Sequence, residues 1–420
     1  MRAAFCVLLG LAAAFTLPAQ TGRGKDLTLK IAVMGPGDEL YFWWGHIALV
    51  IDDAHTGQSR FYDYGLFSFD NDHFFVNFAF GRLFYSCGAS PAAGNMAVYI
   101  DTNRDIVLYT LDVPPEKREE VRRFAEESIL PENRNYLYHH FRDNCSTRIR
   151  DIIDIATYGQ FSEQFSGEPG RFTLRQHVRR HTWFSPFFDW ILNFWMGQDI
   201  DTPITVWEEM FLPSEVGSRI TGFEYTDPGG TSHQLVSGVE TINTAQGRPA
   251  VLDFPRKQWP RELIFSLALS LFLGLLFFTQ KKSPAFAQVT LGILHSLFGL
   301  VFGAAGLLLF FMSFFTSHDY TWHNANLLFC NPLFLIAVPL GIRYASSTNY
   351  DKRLKAEFTL RLLWLLTVLG IFASMLIKLS PRFWQKNLTD QMLMLPIALT
   401  LAFEPAGLRR MIQRIFWRWL

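Results

Sequence analysis

The sequence predicts an α+β exported domain followed by an all-α, polytopic membrane domain of about five transmembrane helices. Residues 21–260 carry most of the acidic, glycine and turn-forming positions, and their short alternating apolar segments are typical of strands. From Leu263 onward the pattern changes to apolar runs long enough to cross a bilayer. The hydrophobic content of 49% and the aromatic content of 16% come largely from this second part.

The first twenty residues have the pattern of a secretory signal peptide. Met1-Arg2 precedes an apolar stretch from Ala3 to Phe15, and cleavage is expected near Ala19 or Gln20. The alternative is an uncleaved anchor helix, which is disfavoured because the stretch is shorter than the ~20 residues that a span requires. In either case the chain from residue 21 onward is expected to lie outside the cytoplasm.

The membrane part is predicted to cross the bilayer five times. The expected spans are residues 263–279, 289–315, 325–342, 360–377 and 390–408. The last span is the weakest because Pro396, Glu404 and Pro405 interrupt it. Most basic residues fall on the loops that this topology places inside, in agreement with the positive-inside rule, and Lys378, Arg382 and Lys386 are the exceptions.

Hydrophobic periodicity predicts the elements of the exported domain. Alternation predicts strands at residues 29–34, 46–51, 59–64, 97–100 and 106–111. The segment Phe74–Phe80 fits a helix or a strand. One helix is predicted over residues 114–129, and a second begins at Cys145, where Asn144 is a good N-cap and apolar positions recur at helical spacing.

Cys145 is the candidate nucleophile because it occupies the first position of that second helix. A helix N-terminus and a nearby imidazole both favour the thiolate form of cysteine, and main-chain N–H groups there could hold an oxyanion. Asn144 could contribute to such an oxyanion hole, although capping alone accounts for it. The alternative is a disulfide between Cys87 and Cys145, a common fate of exported cysteines. The sequence contains no Cys-x-x-Cys pair, and neither a metal nor another cofactor is predicted.

His46 is the candidate base. It lies where an aromatic run opens into an alternating strand, and Gly45 before it leaves room for a substrate or a partner loop. Asp63, Tyr62 or Tyr64 on the next strand could orient the imidazole. Alternation puts Asp63 on the face opposite the two tyrosines, so the sequence does not decide between them.

Three further histidines have weaker claims to a role in catalysis. His139 and His140 precede Cys145 by a few residues and are possible alternative bases. His295 lies inside the second predicted span, where an ionisable group usually faces the interior of the helix bundle. A family-like pattern of motifs favours His46 over His139 and His140, and a chemical role for His295 stays open.

The order of these residues resembles a known fold. A strand histidine followed far along the chain by a helix-start Asn-Cys resembles the circularly permuted papain-like fold of lecithin:retinol acyltransferase-like proteins. Over residues 29–155, a longer set of motifs is similar to the periplasmic domain of Lnb-type lipoprotein N-acyltransferases. Its members are Gly45-His46, Tyr62-Asp-Tyr-Gly65, Phe67, Gly81, Tyr136-Leu-Tyr138, Asn144-Cys145 and Arg150-Asp151.

The membrane part supports the same resemblance. The predicted outer loop between the second and third spans runs from Thr316 to Asn326 and continues to Cys330-Asn-Pro332, and its asparagines are similar to those of that family. The resemblance implies a substrate-binding role for polar residues of this loop. The candidates are His318, His323, Asn324 and Asn326. The alternative is an interfacial belt, because tyrosine and tryptophan favour that depth whatever the function.

The segment Trp183–Met196 is a further candidate for membrane contact. It is apolar almost all round, which is typical of a helix buried in a core. The alternative is a surface that dips into the outer leaflet.

Composition and resemblance together divide the chain into four parts. They are a signal peptide at 1–20, a papain-like catalytic domain at 21–155, a periplasmic extension of unpredicted fold at 156–260 and a transmembrane domain at 261–420. A catalytic domain joined to membrane helices is expected if both substrates lie in the bilayer.

The resemblance implies acyl transfer in the bacterial inner (cytoplasmic) membrane. Cys145 would attack an ester of a phospholipid acyl donor while His46 protonates the departing lysophospholipid, and the thioester would pass to the α-amine of a diacylated lipoprotein. A formal net charge of zero gives no indication of a nucleic-acid partner. Two other classes stay open. One is a membrane-tethered thiol hydrolase, such as a lipase, peptidase or cell-wall amidase, and the other is a non-catalytic binding or sensor protein.

Overall fold

The computed structural model describes residues 23–69, 73–280, 282–380 and 382–403. The predicted signal peptide, Lys281, Glu404, Pro405 and the basic C-terminal tail lie outside these residues. Within the described ranges, an α+β part is followed by an apolar helical part, which confirms the predicted fold class.

The strands of the α+β part are short, and paired strands run antiparallel to each other. They are β1 (Leu27–Met34), β2 (His46–Asp53), β3 (Gln58–Leu66), β4 (Phe84–Pro91), β5 (Ile106–Leu111), β6 (Asn135–Leu137), β7 (Glu224–Thr226), β8 (Ser232–Gln234) and β9 (Val236–Asn243). Among the described residues, seven of them form one antiparallel sheet in the order β6-β4-β3-β2-β1-β5-β9, and β7 pairs with β8. Four of the predicted strands are thereby confirmed, each at or near its expected position.

Helices cover both faces of this sheet. They are α1 (Phe74–Ala79), α2 (Ala92–Asp101), α3 (Pro115–Ser128), α4 (Cys145–Ala156), α5 (Gln160–Phe165), α6 (Leu174–Thr182), α7 (Pro186–Trp195), α8 (Val206–Glu209) and α9 (Pro213–Ile220). Alternation along β2 divides the core, because Ile47 and Leu49 pack on the face of α3 and α4 whereas Ala48 and Val50 pack on the face of α2. The predicted helices over 114–129 and from Cys145 are confirmed, and Phe74–Phe80 is mostly helical.

The predicted strand at residues 97–100 is wrong, because these residues belong to α2. Ala92, Met96 and Tyr99 recur at helical spacing and pack against Phe61 on the sheet. The tertiary contacts of this apolar face decide the conformation, whereas a four-residue apolar run by itself fits either a helix or a strand.

The segment beyond residue 155 contributes to the same core as the strands that precede it. β9 pairs with the edge of β5 and extends the sheet by one strand. Phe161, Val216 and Phe223 are buried in the same cluster as Cys145 and Ile149. The division of the exported part at residue 155 stays a prediction.

The second part consists of long apolar helices. They are α10 (Trp259–Thr279), α11 (Pro284–Phe315), α12 (Ala337–Ser346), α13 (Tyr350–Leu376) and α14 (Leu388–Ala402). Four segments of the described residues are long and apolar enough to cross a membrane: Trp259–Thr279, Pro284–Phe315, Ala325–Ser346 and Tyr350–Leu379. α14 is a shorter apolar helix with Pro396 inside it, and it covers the beginning of the predicted fifth span.

Small residues let these helices pack closely. A Cβ at Gly292 of α11 would come within 2.5 Å of the carbonyl oxygen of Gly341 on α12. Such close backbone approach is the usual way for membrane helices to gain van der Waals contact without a hydrophobic driving force between them.

Candidate active site

His46 and Asp63 form a hydrogen-bonded pair at one end of the sheet. His46 begins β2 and Asp63 lies in β3, and Nε2–H of the imidazole donates to Oδ1 of the carboxylate over 2.7 Å. Both side chains are largely buried, with 16% and 13% of their surfaces exposed. Tyr99 of α2 stacks on the imidazole with ring centroids 6.2 Å apart. The structure therefore places Asp63, among the three candidates considered, in the position to orient His46.

The two tyrosines beside Asp63 point to the other face of the sheet. The hydroxyl of Tyr64 lies 2.9 Å from Oγ of Ser128, and that of Tyr62 donates to Glu126, both on α3. Neither tyrosine contacts the imidazole through a hydrogen bond. Tyr64 thus links β3 to α3 and leaves the orienting of His46 to Asp63.

The surroundings of His46 favour its protonated form. Burial of the imidazole opposes protonation, but the negative potentials of Tyr99, Asp63 and Cys145 in their ionised forms outweigh it, and the pKa of His46 is raised well above 6.5. Asp63 acts both by its charge and by its hydrogen bond.

Removing the charge of Asp63 should change how stability depends on pH. The pKa of His46 is above 6.5 in the folded protein, so the interactions of the protonated imidazole stabilise the fold. This stabilisation is complete below about pH 6.5 and is lost as the pH rises through the folded-state pKa. Asp63→Asn should lower that folded pKa, so the stability advantage of the wild type over the variant should be largest at acidic pH and shrink as pH rises. The midpoint of thermal unfolding, measured across this range in detergent, checks this. Asp143→Asn is the matched control, because the partner of Asp143 is Arg148, which stays charged over this pH range. The same pH dependence of the unfolding midpoint in Asp63→Asn and in the wild type would contradict the prediction.

Cys145 begins α4 with an intact N-terminal cap. Oδ1 of Asn144 accepts from the main-chain N–H groups of Ser146 and Thr147, each over 2.9 Å, and the Thr147 hydroxyl accepts from Asn144 N–H over 2.8 Å. The amide Nδ2 of Asn144 donates to the carbonyls of His140 and Phe211. Both donors of this amide are therefore in use, and Asn144 fixes the start of the helix rather than offering an N–H to a substrate.

The thiol of Cys145 and the imidazole of His46 approach from opposite faces of the sheet. Cys145 belongs to the core cluster on the α4 face, whereas His46 lies on the α2 face with Tyr99. Cys145 lies beside Gly65 near the end of β3, where the pairing with β4 is irregular between Tyr64 and Leu66. Among the described residues no hydrogen bond joins the two groups, although each lies within the electrostatic reach of the other. Nε2 of His46 is held by Asp63, which leaves Nδ1 as the ring nitrogen available to another group.

Gly65 opens the space beside the thiol. Its φ of +92° lies in the region that favours glycine, and a Cβ there would come within 3.8 Å of the Cys145 Cβ and 3.3 Å of Cε2 of Tyr138. The missing side chain leaves a small space between β3, Tyr138 and Cys145. The hydroxyl of Tyr136 also borders this space, 3.8 Å from the position of that Cβ.

The other cysteines and histidines fit a nucleophile or base less well. Cys87 and Cys145 are both free thiols, so the structure contains no disulfide between them. Burial raises the pKa of the Cys87 thiol to about 11. Nε2 of His139 donates to Asp319 over 2.9 Å, and His295 accepts from the indole N–H of Trp364 inside the membrane part.

His177 and His181 of α6 stand four residues apart, a spacing that can hold a metal and that the sequence prediction passed over. In the structure His177 binds Glu209 over 3.0 Å, and Nδ1 of His181 donates to the carbonyl of His177. No group of three or more potential metal ligands occurs among the residues that the structure describes. His177 thus connects α6 to α8, whereas the His181 bond lies within α6.

The outer loop between α11 and α12 packs against the exported part. The main-chain N–H of Ser317 donates to the carbonyl of Phe80 over 2.9 Å, and Nε2 of His318 donates to that of Phe78 over 3.0 Å. Asp319 accepts from His139, as described above, and also pairs with Arg142 over 3.2 Å. The loop thus contacts the segment just before Cys145.

The two predicted asparagines of this loop are buried between α7 and the membrane helices. Nδ2 of Asn324 donates to the carbonyls of Phe194 and Trp195, each over 3.0 Å. Nδ2 of Asn326 donates to Phe194 and to Asp390 of α14. Their amide groups hold the loop in place, while His323 is exposed, with its Nδ1 3.5 Å from Asp199. A direct substrate contact for these residues and for His318 stays a prediction.

α7 is only partly buried. Ile191 and Phe194 pack in the same cluster as the membrane helices, whereas 62% of the Phe187 surface is exposed. The expected fully buried helix is therefore wrong for its outer face. The exposed side agrees better with the alternative of an apolar surface near the membrane.

A cluster of half-buried and exposed aromatic residues was not recognised in the sequence as a functional feature. This aromatic cluster consists of Phe67, Phe69, Phe74, Phe75 and Phe78, on the loop after β3 and on α1. Phe67 stacks on Tyr85 at 5.0 Å between ring centroids, and Tyr85 packs on Tyr138 at 4.4 Å. At the other end, Phe80 contacts Phe311 of α11 at 5.5 Å. The density of phenylalanines between positions 67 and 80 was the available signal.

Comparison with known proteins agrees with this architecture. Residues 19–180 match the family model of the Lnb N-terminal periplasmic domain, and residues 260–401 match that of the Lnb transmembrane domain. The chain matches no curated protein and no solved structure. The two family matches indicate a membrane protein of lipoprotein processing, with its N-terminal domain in the periplasm and a suggested acyltransferase activity. Because the two models follow each other along most of the chain, the protein belongs to the Lnb family, as a periplasmic domain joined to a transmembrane domain.

Proposed function

We propose that this protein is a lipoprotein N-acyltransferase of the bacterial inner membrane. It would move an acyl chain from a phospholipid, through a thioester on Cys145, to the α-amine of a diacylated lipoprotein. The observation that carries this proposal is the concentration of aromatic side chains between α11, which Phe80 contacts, and Tyr85 and Tyr138 beside Cys145. A thiol with such a connection is suited to an acyl donor that resides in the bilayer.

The first half of the reaction forms the thioester. Sγ of Cys145 attacks the ester carbonyl of the phospholipid, and the tetrahedral intermediate collapses with cleavage of the acyl C–O bond. His46, whose pKa is raised, gives its proton to the departing alkoxide, which leaves as a lysophospholipid. Asp63 holds the imidazole through Nε2, so Nδ1 is the nitrogen that exchanges the proton.

The second half transfers the acyl chain to the lipoprotein. Neutral His46 takes a proton from the α-amine as its nitrogen attacks the thioester carbonyl, and the C–S bond breaks to regenerate the Cys145 thiolate. The products are an amide on the lipoprotein and the enzyme in its starting protonation state. A thioester suits this step because it reacts readily with amines when water is kept away.

The aromatic cluster offers the route by which an acyl chain reaches Cys145. Phe75 and Phe78 are exposed by 69% and 45%, an unusual arrangement for phenylalanines in a domain surrounded by water. Phe80, which follows them, contacts the membrane helix α11. A lipid chain that enters along these rings would reach Tyr85 and then Tyr138 beside the thiol.

Phe75→Ser should weaken acyl transfer from membrane lipid without damaging the active site. Loss of the burial of one phenyl ring in lipid costs about 1.5–3 kcal/mol, so transfer should fall by roughly tenfold or more. Acylation of Cys145 by a water-soluble nitrophenyl ester should not change, because that probe does not need the lipid route. Val239→Ser, on the opposite edge strand β9, is the control for loss of an exposed apolar side chain. Equal effects of Phe75→Ser on both donors would contradict this role.

The proposed function is tested by expressing the protein in a host depleted of its own N-acyltransferase. Mass spectrometry of the N-terminal peptide of a reporter lipoprotein should then reveal one added acyl chain, and host growth should be restored. If the well-expressed protein adds no chain to the lipoprotein but releases fatty acid from phospholipid, the acceptor is water and the protein is a hydrolase.

A further inference from the structure

The hydroxyl of Tyr136 is buried and has no hydrogen-bond partner among the described residues. Tyr136 lies on the short edge strand β6, which pairs with β4. A buried hydroxyl without a partner costs free energy, commonly about 1–3 kcal/mol, and folded proteins rarely leave one unpaired without a reason. Tyr64 and Tyr225 are buried in the core cluster against which Tyr136 packs, and both use their hydroxyls in hydrogen bonds.

This unpaired hydroxyl faces the space beside the thiol. A Cβ at Gly65 would lie 3.8 Å from the Tyr136 hydroxyl oxygen and also 3.8 Å from the Cβ of Cys145. The phenolic O–H and the thiol-bearing carbon are therefore on two sides of one small space, with the Tyr138 ring on a third. A carbonyl carbon attacked by Sγ would have to enter this space.

The ring of Tyr136 is held in place by the helix that carries Cys145. The guanidinium of Arg148, one turn along α4, lies over the ring at 4.3 Å from its centroid. Arg148 is fixed in turn by Asp143, which accepts from its Nη2 over 2.7 Å. A cation over the ring draws electron density from the phenol and makes its O–H a better donor. Burial and the neighbouring thiol raise the pKa of Tyr136, so the hydroxyl keeps its proton.

We propose that Tyr136 is a catalytic residue that donates a hydrogen bond to the oxyanion formed when Cys145 attacks an ester carbonyl. This proposal rests on the proposed acyl-transfer function. As Sγ bonds to the carbonyl carbon, the C=O π electrons move to oxygen, and the O–H of Tyr136 stabilises the resulting negative charge without giving up its proton. When the C–O bond to the alcohol breaks, the electrons return and His46 protonates the alkoxide. The main-chain N–H of Cys145, which lies at the first position of α4 and outside the helical hydrogen-bond ladder, is the second donor available there.

Tyr136→Phe tests this proposal in the full-length protein purified in detergent. The acylation rate of Cys145 by a nitrophenyl butyrate should fall by about 10²–10³-fold, the usual effect of removing one oxyanion donor. Alkylation of Cys145 by iodoacetamide, followed on the Cys145 peptide, should keep its rate, because that displacement forms no oxyanion. The midpoint of thermal unfolding should be unchanged or higher, because the variant removes a buried hydroxyl that had no partner.

Tyr225→Phe is the matched control. Its hydroxyl donates to the carbonyl of Asp112 over 2.8 Å, so this variant should lose thermal stability and keep the acylation rate. Unchanged acylation in Tyr136→Phe, or a fall in alkylation that matches the fall in acylation, would overturn the assignment. If the wild type acylates Cys145 but adds no chain to a lipoprotein, the proposed function fails while the role of Tyr136 stands. If the wild type does not acylate Cys145 at all, both fail.

Discussion

Cys145→Ala should abolish N-acylation of the reporter lipoprotein while the protein remains folded in the membrane. Without Sγ there is no thioester, and removal of the nucleophile from a covalent enzyme lowers turnover by factors on the order of 10⁶. The structural cost is small, about 1 kcal/mol, because only one buried atom is lost. Mass spectrometry of the lipoprotein peptide should find only the unmodified amine, and host growth should stay arrested.

Cys87→Ala is the matched control for this experiment. Cys87 is a buried free thiol in the same hydrophobic cluster, and burial raises its pKa to about 11, which makes it a poor nucleophile at neutral pH. This variant should lose a similar amount of stability and keep N-acylation. An acyl chain that is still added by Cys145→Ala would remove the thioester mechanism, because the transfer would then proceed without Sγ.

The elements around the active site could be predicted from the sequence where a local rule applied. The alternation of β2 and the N-cap Asn144 locate both His46 and Cys145 at element boundaries, and the structure has them there. Residues 97–100 could not be assigned in this way, because four alternating residues carry too little periodicity. Their helical conformation depends on the packing of Met96 and Tyr99 against the sheet, which is a long-range contact.

The partners of the candidate residues were harder to predict than the residues themselves. Alternation established that Asp63 and Tyr64 face opposite sides of the sheet, but the side that holds His46 follows from the register between β2 and β3. The family resemblance implied a substrate-binding role for the asparagines of the outer loop, and that role stays a prediction. In the structure their amides satisfy the main-chain carbonyls at the end of α7, a need that arises only in the folded protein.

The aromatic cluster and Tyr136 show why residue type alone is weak evidence for a functional role. Phenylalanines next to a strand are ordinary core residues by composition, and only their exposure in the folded protein indicates a lipid route. An unpaired hydroxyl is likewise invisible in a sequence, because satisfaction of hydrogen bonds is a property of the tertiary structure.

His46→Ala should reduce acyl transfer from phospholipid by about 10²–10⁴-fold, the range for loss of a general acid or base. The loss should depend on the leaving group. A nitrophenolate leaves without a proton, so acylation by a nitrophenyl ester should recover as the pH rises and hydroxide replaces the imidazole as the base for the thiol. The alkoxide of a lysophospholipid needs protonation as it departs, so acylation by phospholipid should stay slow at every pH. Acylation rates with the two donors, measured from about pH 6 to 9, check this.

His139→Gln tests whether His139, which is close to Cys145 in the sequence, has the role that is proposed for His46. His139 binds Asp319 of the membrane loop, and glutamine can keep that hydrogen bond without acting as a base. This variant should retain transfer with both donors. His139→Gln could instead lose transfer from phospholipid while acylation by a nitrophenyl ester recovers at high pH, as expected for His46→Ala. In that case His139 protonates the leaving alkoxide, and the pair of His46 and Asp63 is only a structural contact between β2 and β3. If phospholipid acylation by His46→Ala recovers at high pH, His46 serves only to ionise the thiol, and the alkoxide takes its proton from another group.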